Sequence, residues 1–356
     1  MKKIEFKVLL FIVVIAMAVF VSCSNSSDQD LDSQTSTTTE SGNTDSGEST
    51  DNKNTEEISD GNTPNGTAEN NVTGYQFHET VEYLPAGTDG TAGTTGTYVL
   101  FGDWPHTIKE DSIRIDTTQT MTMGGFTYYL GSDENWYVEC VENAYEEGYT
   151  YSDGTSVAKR NSNSSKYFKV EPIKWRVLNP NPANEEKKIL LTEKCLTANI
   201  KFSNALKNNY ADSDVRKYLN CISDNTGFLK SAFTTTAINK IADTLVKNDL
   251  ESTTDTENNF ICDDTNDKIF LLSAYEIVNS AYGFSSNKNS TDNTRIREGT
   301  DYAKANYLAS YNSWFLRSPS KTSIQWCWGV AGDGKVRPSQ GVRFPEIGIV
   351  PALCLK

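Results

Sequence analysis

Y-F-K-V-E-P-I-K-W-R-V-L, residues Tyr167–Leu178, alternates apolar and polar side chains over most of its length. A period of 2 turns one set of side chains to a buried face and the other to a polar one, which predicts a half-buried strand. Lys188–Leu191 follows across a loop rich in Asn and Pro, so the two pieces read as a hairpin. Upstream, Thr97–Phe101 reads as a strand that enters a turn at Gly-Asp-Trp-Pro105, and Phe126–Leu130 and Trp136–Val141 read as a further strand pair. Downstream the period lengthens. Asp212 or Ser213 can cap a helix over Val215–Ile222, and Phe228–Phe233 reads as a short helical turn. Thr234 can cap Ala237–Val246, whose Ile238, Ile241, Ala242 and Leu245 would share one face. Lys268–Leu272 reads as a buried strand, Ser273 opens a short helix at Tyr275–Val278, and Asp301–Leu308 is a last helical piece. Strands, then helices, then strands predict an α+β domain rather than a parallel α/β fold.

The chain closes on Trp314–Lys356. Two apolar strand-like pieces, Trp314–Leu316 and Ile347–Leu355, bracket about thirty residues that follow neither the period of 2 nor that of 3.6. Within the bracket stand Lys321, Gln325, Trp326, Trp328, Arg337, Arg343, Phe344 and Glu346, while Gly332-Asp333-Gly334 reads as a turn. Such a segment predicts loops held on a rigid frame, the usual carriers of binding function. Trp326 and Trp328 would share one strand face, either packed inward or displayed with Lys321, Gln325 and Arg337 as a recognition patch. Trp, Tyr and Arg dominate binding hot spots, so at least one of the two is expected to be exposed.

The amino terminus is of another kind. Lys2, Lys3 and Lys7 precede an uninterrupted apolar run, Val8–Val21, too short for a membrane span and suited to a signal peptide over residues 1–22. Phe20-Val21-Ser22-Cys23 resembles the bacterial lipobox, which implies cleavage before Cys23 and lipid attachment there. Several acyl chains on one residue make a stable membrane anchor. Ser24–Gly74 is almost purely Ser, Thr, Asn, Asp, Glu and Gly, without an aromatic residue, which predicts a disordered acidic stalk over residues 23–74. As a flexible coil it would span roughly 40 Å. Residues 1–22 carry a net charge of +2 and residues 23–74 one of −10, so only −6 of the total −14 belongs to residues 75–356. No basic face is indicated, so nucleic acid is not an expected partner.

Seven cysteines occur, and no CxxC motif, which argues against zinc ribbons and thioredoxin chemistry. If Cys23 is lipidated, six remain, and Cys221–Cys262 is the favoured bridge. With only His78 and His106, a Ser–His–Asp triad or a histidine metal site is poorly supported, and no glycine-rich phosphate loop is present. Cys262-Asp-Asp-Thr-Asn-Asp267 could offer oxygens to Ca²⁺, but it lacks the glycine and distal glutamate of an EF-hand loop and reads better as a turn. No cofactor is therefore expected. Arg317, beside buried strand residues, is expected to pin neighbouring loops, and Trp175, Trp314 and Phe315 to pack in the core.

Six motifs stand in order: F-G-D-W-P-H-T-I-K (Phe101–Lys109), Y-F-K-V-E-P-I-K-W-R-V-L, D-K-I-F-L-L-S (Asp267–Ser273), R-I-R-E-G-T-D-Y-A-K-A-N-Y (Arg295–Tyr307), W-F-L-R-S-P (Trp314–Pro319) and G-I-V-P-A-L (Gly348–Leu353). Together they resemble the variable-protein-like family of treponemal outer lipoproteins over nearly all of Thr97–Lys356. That resemblance implies a C-type lectin fold of the formylglycine-generating-enzyme type, with a ligand-binding surface at its C-terminal end. Some members diversify that surface through a retroelement. Carried over, the display region covers residues 320–347 and adds Thr322, Ser323 and Ser339 to the candidate ligand-binding residues. His106 stands where related sequences tend to have Gln or Arg, and Cys327 and Cys354 look like additions. The cysteine pair of the enzyme that shares the fold has no counterpart here, so its activity is not carried over.

The expected protein is thus a lipid-anchored cell-envelope protein, exposed at the outer membrane, whose single domain over residues 75–356 binds an extracellular protein or glycan. The alternatives are an envelope enzyme, either a formylglycine-generating-type oxidase or a hydrolase, and a structural envelope lipoprotein without a dedicated ligand.

Overall fold

The alternating stretch at Tyr167–Leu178 belongs to the longest strand of the molecule, Ser165–Val177, and the main sheet is built around it. The computed structural model describes residues 76–85, 97–146, 148–158, 164–179, 188–223 and 226–356. The expected signal peptide, Cys23, the acidic stalk and Tyr75 lie outside the described residues. In chain order the elements begin with β1 (Glu82–Tyr83), β2 (Tyr98–Ile108), β3 (Ile115–Met123), β4 (Phe126–Gly131), β5 (Trp136–Val141), β6 (Ser165–Val177) and β7 (Ile189–Thr192). Then come α1 (Asp214–Asn220), α2 (Phe228–Ala232), α3 (Thr235–Ile238), β8 (Thr244–Val246), β9 (Thr265–Asp267), β10 (Ile269–Phe270) and α4 (Asp301–Ala305). The last strands are β11 (Trp314–Pro319), β12 (Trp326–Val330), β13 (Val336–Gly341) and β14 (Ala352–Cys354).

Among the described residues the main sheet has nine strands, ordered β10-β14-β7-β6-β5-β4-β3, with β2 also on β6 and β1 on β2. Its pairs are all antiparallel. β6 pairs β5 through residues 165–169 and β7 through residues 175–177, while β2 runs along most of it. Inward side chains switch parity along β6, from Phe168 and Val170 to Ile173, Trp175 and Val177. The switch falls at Glu171-Pro172, opposite irregular register in β2, where a proline cannot donate to the ladder. This sheet-rich α+β architecture agrees with the coarse class expected.

Four tryptophans, Trp104, Trp136, Trp175 and Trp314, are fully buried. Three of them satisfy their indole N–H on a main-chain carbonyl: Trp104 on Leu196 at 2.8 Å, Trp175 on Phe101 at 2.7 Å and Trp314 on Arg295 at 3.2 Å. Burying an aromatic body while satisfying its polar tip is what makes such residues good core anchors. Arg317, itself buried, donates to the carbonyls of Leu271 and Lys247 and forks onto Glu276 at 2.5 and 3.0 Å. It pins loops, as expected of it.

Several expectations are corrected. Gly102, read as part of a turn, sits inside continuous β2 with a φ of +69°. A Cβ there would collide with the Phe233 ring and the Ala232 carbonyl, so glycine is required both by conformation and by close approach. The predicted helix over Ala237–Val246 ends after one turn, at Ile238. Ile241 instead bridges to Leu355, and the Ala242 N–H donates to the Cys354 carbonyl at 2.8 Å. Residues 244–246 become β8, with Leu245 exposed. Pairing with the chain's C-terminus overrides the local helical spacing. Cys221 and Cys262 are thiols, as are the other four described cysteines, so the favoured bridge is absent.

Candidate functional site

The terminal bracket is not a set of loops but a three-stranded antiparallel sheet, β11-β12-β13. β11 is buried along its whole length and is the frame. β12 and β13 are joined through the expected turn at Gly332-Asp333-Gly334, where Gly334 takes a φ of +78°. The missing period has a physical cause. The β12–β13 register shifts between Cys327 and Gly329, because Cys327 faces Gln340 while Gly329 faces Arg337. A bulge of this kind breaks the two-residue alternation and re-aims side chains.

The two tryptophans of β12 are covered unequally. Trp326 is half-buried, whereas Trp328 is only 3 % exposed. The Lys288 ammonium lies 4.8 Å from the centre of the Trp328 ring, and the Trp328 indole N–H has no hydrogen-bond partner among the described residues. Trp328 and Glu346, both expected on the display surface, are therefore buried. Lys321, Thr322, Gln325, Arg337, Ser339, Arg343 and Phe344 are exposed, and Ser323 is half-buried.

What the surface brings together is an aromatic corner. Trp326 faces Gly341 across the ladder, and the Phe344 ring covers Gly341. The two rings meet edge to face at 6.1 Å. Ile324, missed by sequence reasoning, is 40 % exposed two residues before Trp326, and Phe344 is 45 % exposed. The Val342 N–H donates to the Gln325 carbonyl at 3.0 Å, which joins the two loops of this corner. Lys321 and Arg343 form no ion pair among the described residues, while Arg337 lies 3.8 Å from Asp333.

The corner is held from beneath by a residue that no sequence signal marked. The buried Asn208 amide donates to three carbonyls, those of Ser320, Ser323 and Trp326, at 3.2, 3.1 and 2.8 Å. Asn258 does the same for Pro319 at 2.9 Å. Within the loop, the Ser320 and Thr322 hydroxyls lie 2.8 Å apart and the Ser323 hydroxyl accepts from the Gln325 N–H. A loop tied in this way gives up little conformational entropy when a partner binds.

A second feature is concave. A cleft of about 520 Å³ is lined by His106 of β2, Lys174 of β6, Glu193 and Lys194 after β7, and Asn293 and Glu298. Pro172, Leu196 and Ile296 complete its wall. Lys194 and Glu298 pair at 3.0 Å across it. Burial and the nearby Lys194 ammonium push the His106 pKa down to about 4, so the ring is neutral at physiological pH. Its Nε2 is buried and has no hydrogen-bond partner among the described residues.

Among the described residues, no three His, Cys, Asp or Glu side chains converge to hold a metal. Within Cys262–Asp267, Asp264 is engaged by Lys247, and Asp267 by Arg216 and Thr265. Cys195 and Cys140 have thiol pKa values raised to about 12 by burial, and burial also holds the Cys327 thiol well above its ordinary value, so none is a ready nucleophile. No described helix is long and apolar enough to cross a membrane.

The profile of a family described as "Domain of unknown function (DUF6273)" matches residues 185–356, slightly under half of the chain. That span contains the whole three-stranded sheet and its Asn208 and Asn258 supports. The cleft straddles its boundary, because His106, Pro172 and Lys174 come from outside it. No curated protein and no solved structure matches the chain.

Proposed function

We propose that this protein is a lipid-anchored envelope protein that binds an extracellular macromolecule, a protein or a glycan, through the Trp326–Phe344 corner. The observation that carries the reading is a pair of aromatic rings kept at the surface by a loop whose carbonyls are clamped by Asn208. Exposed aromatics cost solvation, and the anchoring of this pair from beneath suits a preorganised hot spot. Lys321 and Arg343 on the same loops, with Arg337 on β13, favour a partner with an acidic patch, although the chain as a whole is acidic.

A C-type-lectin-like fold belongs to this proposal, as do retroelement diversification of residues 320–347 and an outer-membrane position. The lipobox-like Phe20–Cys23 supports the anchor. Binding is favoured over catalysis because the exposed corner contains no general base or activated nucleophile.

The test uses the full chain in detergent micelles against arrays of extracellular proteins and glycans. Specific binding that the double variant W326A/F344A loses by tenfold or more, while melting normally, supports the reading. Binding that ignores both substitutions refutes it. Incorporation of labelled palmitate that C23S abolishes checks the anchor separately.

A further inference from the structure

We infer that the His106 cleft is a second binding site, selective for a small neutral polyol, the chemical class of monosaccharides. Three buried side-chain atoms without a hydrogen-bond partner among the described residues stand in or behind its wall: His106 Nε2, Glu193 Oε1 and Arg297 Nη2. His106 and Glu193 line the cleft directly. Arg297 stands behind Glu193, with Nη2 3.8 Å from Glu193 Oε1, and its Nε donates to the Thr192 carbonyl at 2.8 Å. Buried polar atoms are normally satisfied, so such a gathering beside a cleft marks where a ligand's own polar groups fit.

The charges decide the ligand class. Lys194 is paired with Glu298, Arg297 faces Glu193, and the Lys174 ammonium lies 4.4 Å from the centre of the Tyr98 ring. An added anion would meet the Glu193 and Glu298 carboxylates, and an added cation would meet Lys174, Lys194 and Arg297. A neutral ligand meets neither penalty. The unpartnered set includes a pure donor in Arg297 and a pure acceptor in Glu193, with His106 able to serve as either. A hydroxyl both donates and accepts, so adjacent hydroxyls can satisfy the set together. The C–H face of such a compound would lie against Leu196 and Ile296. The volume is within the roughly 300–1,000 Å³ usual for small-molecule sites.

The test is isothermal titration of the full chain in detergent micelles with glucose, N-acetylglucosamine and sorbitol, and with methylammonium and acetate as charged probes. The expected result is saturable binding of at least one polyol, weakened tenfold or more by H106A and by E193A and left unchanged by W326A. If E193A does not fold, H106A and the exposed-site variant N293A carry the test. The inference is overturned if no polyol titrates, if methylammonium or acetate binds in place of the polyols, or if the cleft variants bind like wild type. It is also overturned if W326A abolishes polyol binding, because that result would move the site to the other face.

Discussion

The Trp326–Phe344 corner and the His106 cleft put polar and apolar groups to opposite use. At the corner, apolar rings face solvent while the backbone beneath them is fully engaged by the Asn208 amide. In the cleft, His106 Nε2 is buried without a hydrogen-bond partner among the described residues, and Glu193 and Arg297 pair at 3.8 Å, beyond hydrogen-bond reach. The corner presents what water disfavours and is built for a large partner. The cleft withholds what water would satisfy and is built for a small one. The difference teaches that exposure alone is a poor guide to function, because the informative atoms are those whose local requirements are unmet.

The comparison breaks most readily at Trp328, two residues along β12 from Trp326 but buried. Trp328→Ala should cost about 3–5 kcal/mol of stability, as buried aromatic truncations do, whereas Trp326→Ala should cost no more than about 1.5 kcal/mol, the scale of an aromatic pair. Urea unfolding of the two variants checks this, and equal losses would mean that the two rings are equally buried. Next in size, Asn208→Ala should cost about 2–4 kcal/mol, because three hydrogen bonds are lost together. Hydrogen exchange should then quicken over residues 320–326 and stay unchanged around His106.

A third effect belongs to the cleft. The His106 ring takes up a proton near pH 6.5 when unfolded but near 4 in the native state. Between those values the unfolded chain binds a proton that the native protein refuses, so stability falls as pH drops from 6.5 towards 4 and loses nothing more below that. At about 1.4 kcal/mol per pKa unit, and with part of the ring exposed, the loss should be about 1–3 kcal/mol. Melting temperatures of wild type and H106Q at pH 7 and pH 4.5 should show a smaller acid shift for the variant. Smallest of all, F344A alone should change stability by less than about 1 kcal/mol while still weakening partner binding.

Much of the framework was legible residue by residue. The alternation at Tyr167–Leu178, the Ser213 cap of α1, the capping Thr234 and the buried motif at Trp314–Leu316 all report local chemistry, and local chemistry is what a sequence displays. The Lys188–Leu191 strand and the Gly332–Gly334 turn were legible for the same reason. Of the candidate surface, Lys321, Gln325, Arg337, Arg343 and Phe344 are exposed where residue type suggested. Trp328 and Glu346 are not, because burial is set by segments distant in sequence, such as the Lys288 ammonium over the Trp328 ring, which leave no mark in composition. Leu245 failed for a related reason: its helical spacing was real, but the C-terminal strand claimed the backbone of Ile241 and Ala242.

The sequence by itself determined which segments are extended, which can start helices, and that the closing stretch carries an unusual density of recognition side chains. Those properties follow from side-chain volume, branching and capping over a few neighbouring positions. Only the tertiary structure decided that Asn208 reaches across more than a hundred residues to clamp the display loop. It alone brought His106 to Glu193 and Glu298 in one cleft. Both are long-range juxtapositions, set by how segments distant in sequence pack together, and neither leaves a local signature in the order of residues.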